Sequence, residues 1–158
     1  MKFITSGAIA VVLIVLIGCG GGDKTLSSGA YVLSQINFTQ DECKIKDYLP
    51  AGHEIKVTVS GSAVVISVAD DISPPTGTIS GDSFSAWSLM NSDTIPDTDC
   101  QDKWSKKMTG TMIKKGVFNG VYKFSDDTVS GADCGDESKI GFKPPGCKST
   151  VTFTATKK

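Results

Sequence analysis

Eight stretches of this chain alternate apolar and polar residues, and the connections between them alternate between very short and long. Together these two rhythms constrain the fold more than any single residue does. Successive side chains of a β-strand point to opposite faces, so alternation marks a strand with one buried and one solvated side. Residues 54–59 show it most clearly, with Ile55, Val57 and Val59 on one face and charge or hydroxyl on the other. Residues 150–156 match them, threonine outward and Val151, Phe153 and Ala155 inward. The same pattern predicts strands over 30–39, 63–69, 76–79, 83–90, 104–113 and 117–125. Valine and isoleucine outnumber leucine beyond residue 19, and glycine, threonine and serine are abundant, the usage of sheets and turns. One short helical turn is expected within 41–49, ended by Pro50.

The connections order these strands. Gly61, Gly81-Asp82 and Lys114-Lys115-Gly116 are short enough for hairpins, whereas 40–53, 70–75, 91–103 and 126–148 are long. If the strands run up and down in sequence order, every tight turn falls at one end and every long loop at the other. The expected fold is therefore all-β, an eight-stranded antiparallel up-and-down barrel, because closure leaves no exposed strand edge. A ring of this size is just filled by side chains or holds one small ligand. Phe118, Tyr122 and Phe124 alternate on one face of the seventh strand, beside a Gly120 that has no side chain to fill the interior, and Tyr31, Phe84 and Phe153 can join them. These six line an apolar pocket with a tyrosine hydroxyl as its polar handle, or they are the core of a filled barrel.

The amino terminus reads as an address. Lys2 precedes an apolar run whose usable length, residues 3–17, is fifteen and still includes Thr5 and Ser6. A membrane-spanning helix needs roughly 20 apolar residues, so this run has the length of a signal-peptide core. It ends in Leu16-Ile17-Gly18-Cys19. That tetrapeptide resembles the lipobox of bacterial lipoproteins, in which a small residue precedes a cysteine that is lipidated and becomes the mature first residue. The resemblance implies a signal peptide over 1–18, lipid attachment at Cys19 and anchoring in the cell envelope. Gly20 in place of aspartate after that cysteine implies the outer rather than the inner membrane. The polar, glycine-rich stretch to Ser28 is expected to be a flexible tether, leaving 29–158 as the folded domain. Three buried acyl chains would anchor it stably.

Gly29-Ala30-Tyr31 at the start of the first strand resembles the opening motif of the lipocalin-like calycins, with tyrosine where that family has tryptophan. The resemblance implies an eight-stranded meander barrel with a short helix after the first strand. That architecture hosts unrelated functions, so it assigns none here.

Lipidation of Cys19 accounts for an odd total of five cysteines. Cys43, Cys100, Cys134 and Cys147 remain, all in long loops and so at one end of the barrel, in a compartment that permits disulfides. Four cysteines allow three connectivities. The expected one is Cys134–Cys147, which brackets the loop holding Pro144-Pro145, with Cys43–Cys100 as its complement. No Cys-x-x-Cys pair supports zinc.

Charge narrows the function classes. Net charge is −1 and the sixteen basic residues are all lysine, so a nucleic-acid partner has no footprint and bidentate phosphate recognition no arginine. Most of the seventeen carboxylates fall in the long loops, while the tight-turn end is lysine-rich and would face anionic lipid. Asp93, Asp97, Asp99 and Asp102 invite a calcium reading but miss the EF-hand spacing, so no metal is assigned. No nucleophile elbow, phosphate loop or metalloprotease helix occurs, and the single histidine, His53, is expected at the surface where a loop ends. The expectation is a non-enzymatic, cofactor-free envelope lipoprotein serving as a binding or interaction module. Its rivals are a carrier of a small hydrophobic ligand in the barrel, and an inhibitor or adhesin that meets a protein partner through acidic, disulfide-braced loops.

Overall fold

In the computed structural model, which describes residues 24–68 and 73–158, eight antiparallel strands pair in sequence order and the last returns to the first. They are β1 (Gly29–Asp41), β2 (Glu54–Ser60), β3 (Ala63–Val68), β4 (Thr76–Ser80), β5 (Ser83–Thr94), β6 (Gln101–Lys114), β7 (Val117–Ser130) and β8 (Gly146–Lys157). Closure runs through β1, which pairs with β2 on one side and with β8 on the other, as in Leu33 opposite Ala155. All eight expected strands are present, and most are longer than the alternation suggested. Ala69, the expected end of the third, lies outside the described residues, as do the expected signal segment and Cys19.

The added length sits at the long-loop end, where β5 to β8 run beyond their apolar alternation. Polar residues such as Gln101, Asp102, Thr128 and Ser130 continue the ladder there, because backbone hydrogen bonding needs no apolar side chain. The hairpins β2–β3, β4–β5 and β6–β7 turn at Gly61, Gly81 and Gly116, each with positive φ, a conformation that glycine adopts without strain. All three lie at one end. The expected helical turn is a 3-10 helix, Ile45–Tyr48, with Ile45 buried. Two helical turns were not anticipated: a 3-10 helix at Ala132–Gly135 and a four-residue α-helix at Glu137–Ile140 that ends at left-handed Gly141. Both lie in the loop before β8 and are too short to carry a helical period.

Beyond the hairpin end the interior is dry and aromatic. Phe84, Gly110, Gly120 and Phe153 stand side by side across β5, β6, β7 and β8. A Cβ on Gly110 would fall 2.4 Å from the ring of Phe84, and one on Gly120 would fall 2.4 Å from the ring of Phe153. Each glycine thus makes room for the neighbouring ring. Phe118, fully buried, meets Tyr31, Phe84 and Phe153 with centroids 5.3, 5.1 and 6.2 Å away, the tilted and edge-on geometry that aromatic quadrupoles favour. Five of the six aromatics considered as pocket lining are buried, with Phe124 packed against them, and the rings meet one another.

The segment entering β1 belongs to this core. Leu26 is 5% exposed and packs with it, the Tyr31 hydroxyl donates to the Ser27 carbonyl at 2.9 Å, and the Val59 amide donates to Ser28 Oγ at 2.8 Å. The expected tether through Ser28 is corrected accordingly: the folded unit begins by Leu26, because that leucine has apolar surface to bury. Among the described residues no helix is long and apolar enough to cross a membrane.

Candidate functional site at the loop end

Toward the long loops the inward face changes character. Continuing inward past Met112, Gly110 and Met108, β6 presents Lys106, Trp104 and Asp102, and β7 beside it presents Phe124 and Asp126. Ser88 on β5 stands opposite Lys106, and Lys106 Nζ lies 4.3 Å from the centre of the Trp104 ring, a cation–π contact. Strand alternation alone turns these groups into the barrel. The same period that buries Met108 and Phe118 brings a lysine and two aspartates inside a few residues later.

Asp102 and Asp126 form a carboxyl pair. Burial raises both above the ordinary carboxylate range, and for Asp126 the charge of Asp102 adds to it and pushes the group up to about 7. A hydrogen bond between the two favours the ionised form of Asp102 and the protonated form of Asp126, so the shared proton belongs to Asp126. Asp102 Oδ1, Asp126 Oδ1 and Ser88 Oγ are buried without a hydrogen-bond partner among the described residues, and so is His53 Nε2. Buried polar atoms normally have partners, so three orphans on adjacent strands of one compartment are chemically informative. No described residue supplies that partner; the carboxyl oxygens would accept from one, and the Ser88 hydroxyl would donate or accept.

Two disulfides brace the loops around this compartment. The expected pairing is corrected: Cys43 bonds Cys147 and Cys100 bonds Cys134, with Cα–Cα separations of 5.1 and 4.8 Å. Proximity along the chain misled. Cys147 lies in β8, whose ladder with β1 runs to Asp41 opposite Ser149, and this sets it beside Cys43 just past the end of β1. Cys100 precedes β6, and its neighbour Asp99 receives the amides of Ala132 and Asp133, which draws Cys134 toward it. Both bridges pack with Ile140 and Phe142 into a second small core. Asp41 secures the first loop by accepting from the Ile45 amide at 2.7 Å and from Ser149 Oγ at 3.1 Å. At the surface Lys139 pairs with Asp133, which holds that carboxyl below its usual range.

The sequence-level candidates therefore disperse. Tyr31, Phe84, Phe118 and Phe153 build the dry core, while Tyr122 and Phe124 lead from it toward the polar compartment. Of the calcium candidates, Asp102 faces inward with Asp126 whereas Asp99 is engaged by backbone amides, so the four do not converge. His53 is half-buried rather than at the surface. Sequence reading missed Asp126, Lys106 and Trp104. Their signal was available: Lys106 and Trp104 fall on the inward period of the expected strand 104–113, and one more step past Phe124 predicts Asp126 inward. No family model, no characterised protein sequence and no solved structure matches this chain.

Proposed function

We propose that this chain is a lipid-anchored envelope protein, attached through Cys19, whose barrel is a non-enzymatic binding module with its recognition site at the disulfide-braced loop end. The observation that carries the binding reading is that Ser88 Oγ, Asp102 Oδ1 and Asp126 Oδ1, on the adjacent strands β5, β6 and β7, are buried without a partner among the described residues, on the inward face that also carries Trp104 and Lys106. Such a compartment suits a small polar group that donates hydrogen bonds. Packing of the aromatic rings against one another weighs against a bulky apolar cargo deeper in the barrel. We read the architecture as lipocalin-like on the up-and-down order, the Gly29-Ala30-Tyr31 opening and the short helix after β1.

Anchoring is supported by the polarity of the domain. The chain enters at Leu26 and Gly29, at the hairpin end, so a lipid on Cys19 would leave the braced loops facing away from the membrane, outer rather than inner by the residue after the cysteine. Two measurements test the reading. Cys19→Ala should abolish incorporation of radiolabelled palmitate and release the protein from the membrane fraction; retained label would overturn the anchor. Native mass spectrometry of the protein extracted from membranes should show a polar, donor-bearing small molecule that Asp102→Asn/Asp126→Asn no longer retains. A bound long-chain lipid, held equally by that variant, would favour the carrier instead.

A further inference from the structure

The outer wall of β5 to β8 is rich in hydroxyl side chains. Its residues form rows across the strands, set by the registers. Ser83, Thr111, Asn119 and Thr154 make the row nearest the hairpins, Ser85, Thr109, Val121 and Thr152 the next, and Trp87, Lys107, Lys123 and Thr150 the third. None of the chain's seventeen carboxylates lies on these rows. The wall is hollowed. An open groove of about 670 Å³ over the first two rows, which reaches Gln35 at the bulge in β1, shares Thr109 and Val121 with a smaller hollow of about 140 Å³. That hollow shares Lys107 and Lys123 with a third of about 340 Å³, which extends to Lys148. The three make one track along the barrel wall, neutral at its start and basic at its end.

The basic part carries an unfavourable arrangement. Lys107 and Lys123 are direct cross-strand neighbours, and like charges at such positions repel. No carboxylate pairs with either among the described residues, whereas Lys148 at the far end has Glu42 beside it. Seventeen acids elsewhere on a small domain could have supplied a partner. Uncompensated repulsion in an otherwise consistent sheet is what a site for an anion would display. The neutral part is a built surface. The Thr154 hydroxyl lies 2.9 Å from Gln35 Oε1 and 3.0 Å from Asn119 Oδ1, and the Ser83 and Thr111 hydroxyls are 3.2 Å apart. Trp87, 61% exposed, stands opposite Lys107 in the third row.

We propose that this track binds an acidic polysaccharide. Rows two residues apart and strands side by side give a patch of about 14 by 14 Å, enough for a short oligosaccharide. Hydroxyl and amide side chains match sugar hydroxyls, the exposed indole matches the apolar face of a pyranose ring, and Lys107 and Lys123 match the carboxylates of the chain. A nucleic acid offers far fewer hydroxyls than a sugar chain to the hydroxyl and amide side chains of the neutral rows. The site lies outside the barrel and is independent of the loop-end compartment.

The test uses the full chain purified in non-ionic detergent, with calorimetric titration of a short oligogalacturonide. Saturable binding is expected, at least tenfold weaker for Lys107→Gln/Lys123→Gln and severalfold weaker for Trp87→Ala, with far-UV circular dichroism unchanged. A neutral glucan oligomer of equal length should bind at least tenfold more weakly than the acidic one. Asp102→Asn/Asp126→Asn should bind it as the native chain does, which separates this site from the loop-end reading. The proposal is overturned if oligogalacturonide does not bind, if the lysine variant binds it equally, or if polyphosphate of matched charge binds as tightly. Binding to phosphatidylglycerol vesicles that Lys107→Gln/Lys123→Gln abolishes, without oligogalacturonide binding, would reassign the wall to a membrane and also overturn it.

Discussion

The two halves of the barrel interior are built from the same strands and solve opposite problems. Toward the hairpins, rings interlock around Phe118, glycines make room for them, and the Tyr31 hydroxyl is satisfied by the Ser27 carbonyl. Toward the long loops, the next inward positions of the same strands hold Lys106, Asp102 and Asp126, with one oxygen of each carboxyl unsatisfied among the described residues. One half holds itself together by burying apolar surface. The other is held from outside, by two disulfides and by carboxylates such as Asp41 and Asp99 that secure the loops. Where a small domain devotes part of its interior to polar groups, external bracing compensates for the apolar burial it forgoes.

That contrast can be broken at several points. The largest effect is expected from Cys43→Ser/Cys147→Ser, which opens a loop spanning 104 residues. In the chain-entropy account this costs about 4.7 kcal/mol, about 1 kcal/mol more than opening the 34-residue span of Cys100–Cys134. Urea unfolding of the two variants should rank them in that order; the reverse ranking would mean that the loops are held by their local packing instead. Phe118→Ala comes next, at about 3–5 kcal/mol, because the fully buried ring is the hub of the aromatic contacts. Gly120→Ala should cost about 1–3 kcal/mol by overpacking against Phe153, and an added Phe153→Leu should recover part of it. Failure of that rescue would show that the glycine serves the backbone rather than the ring.

Asp126→Asn sharpens the other side of the comparison. The native protein holds the Asp126 proton up to about pH 7, whereas the unfolded chain releases it near 3.8. The folded state therefore binds more protons in between, and the associated stability is full below about pH 4 and lost as pH rises through 7. Asparagine removes that loss. The variant should have a flatter pH profile and be more stable at pH 8 by about 1–2 kcal/mol, a figure reduced for the partial exposure of the site. Thermal melts from pH 4 to 8 measure it, and parallel profiles for the two proteins would exclude a shared proton. The smallest effect concerns the hairpin end. Lys114→Glu/Lys115→Glu should weaken membrane association of the non-lipidated Cys19→Ser chain by about 1 kcal/mol per lysine at low salt, and vesicle sedimentation in 20 mM and 150 mM salt checks it.

Much of this was written locally. Ile55, Val57 and Val59 show their inward face by period alone, and Gly61, Gly81 and Gly116 mark the hairpins because each sits at positive φ. The candidate site was less legible. Asp102 and Asp126 look like loop acids when read one at a time, and their loss of solvent exists only once β6 and β7 lie side by side. Leu26 reads as part of a polar linker until Tyr31 and the bottom of the barrel give it something to cover.

The sequence by itself determined the strand number, the up-and-down order and the separation of tight turns from long loops, since alternation and turn chemistry act over a few residues. Only the tertiary structure decided which cysteines pair, which carboxyls share a proton and which lysines stand opposite one another. Those depend on register between strands far apart in the chain, and register is settled by closing the whole ring.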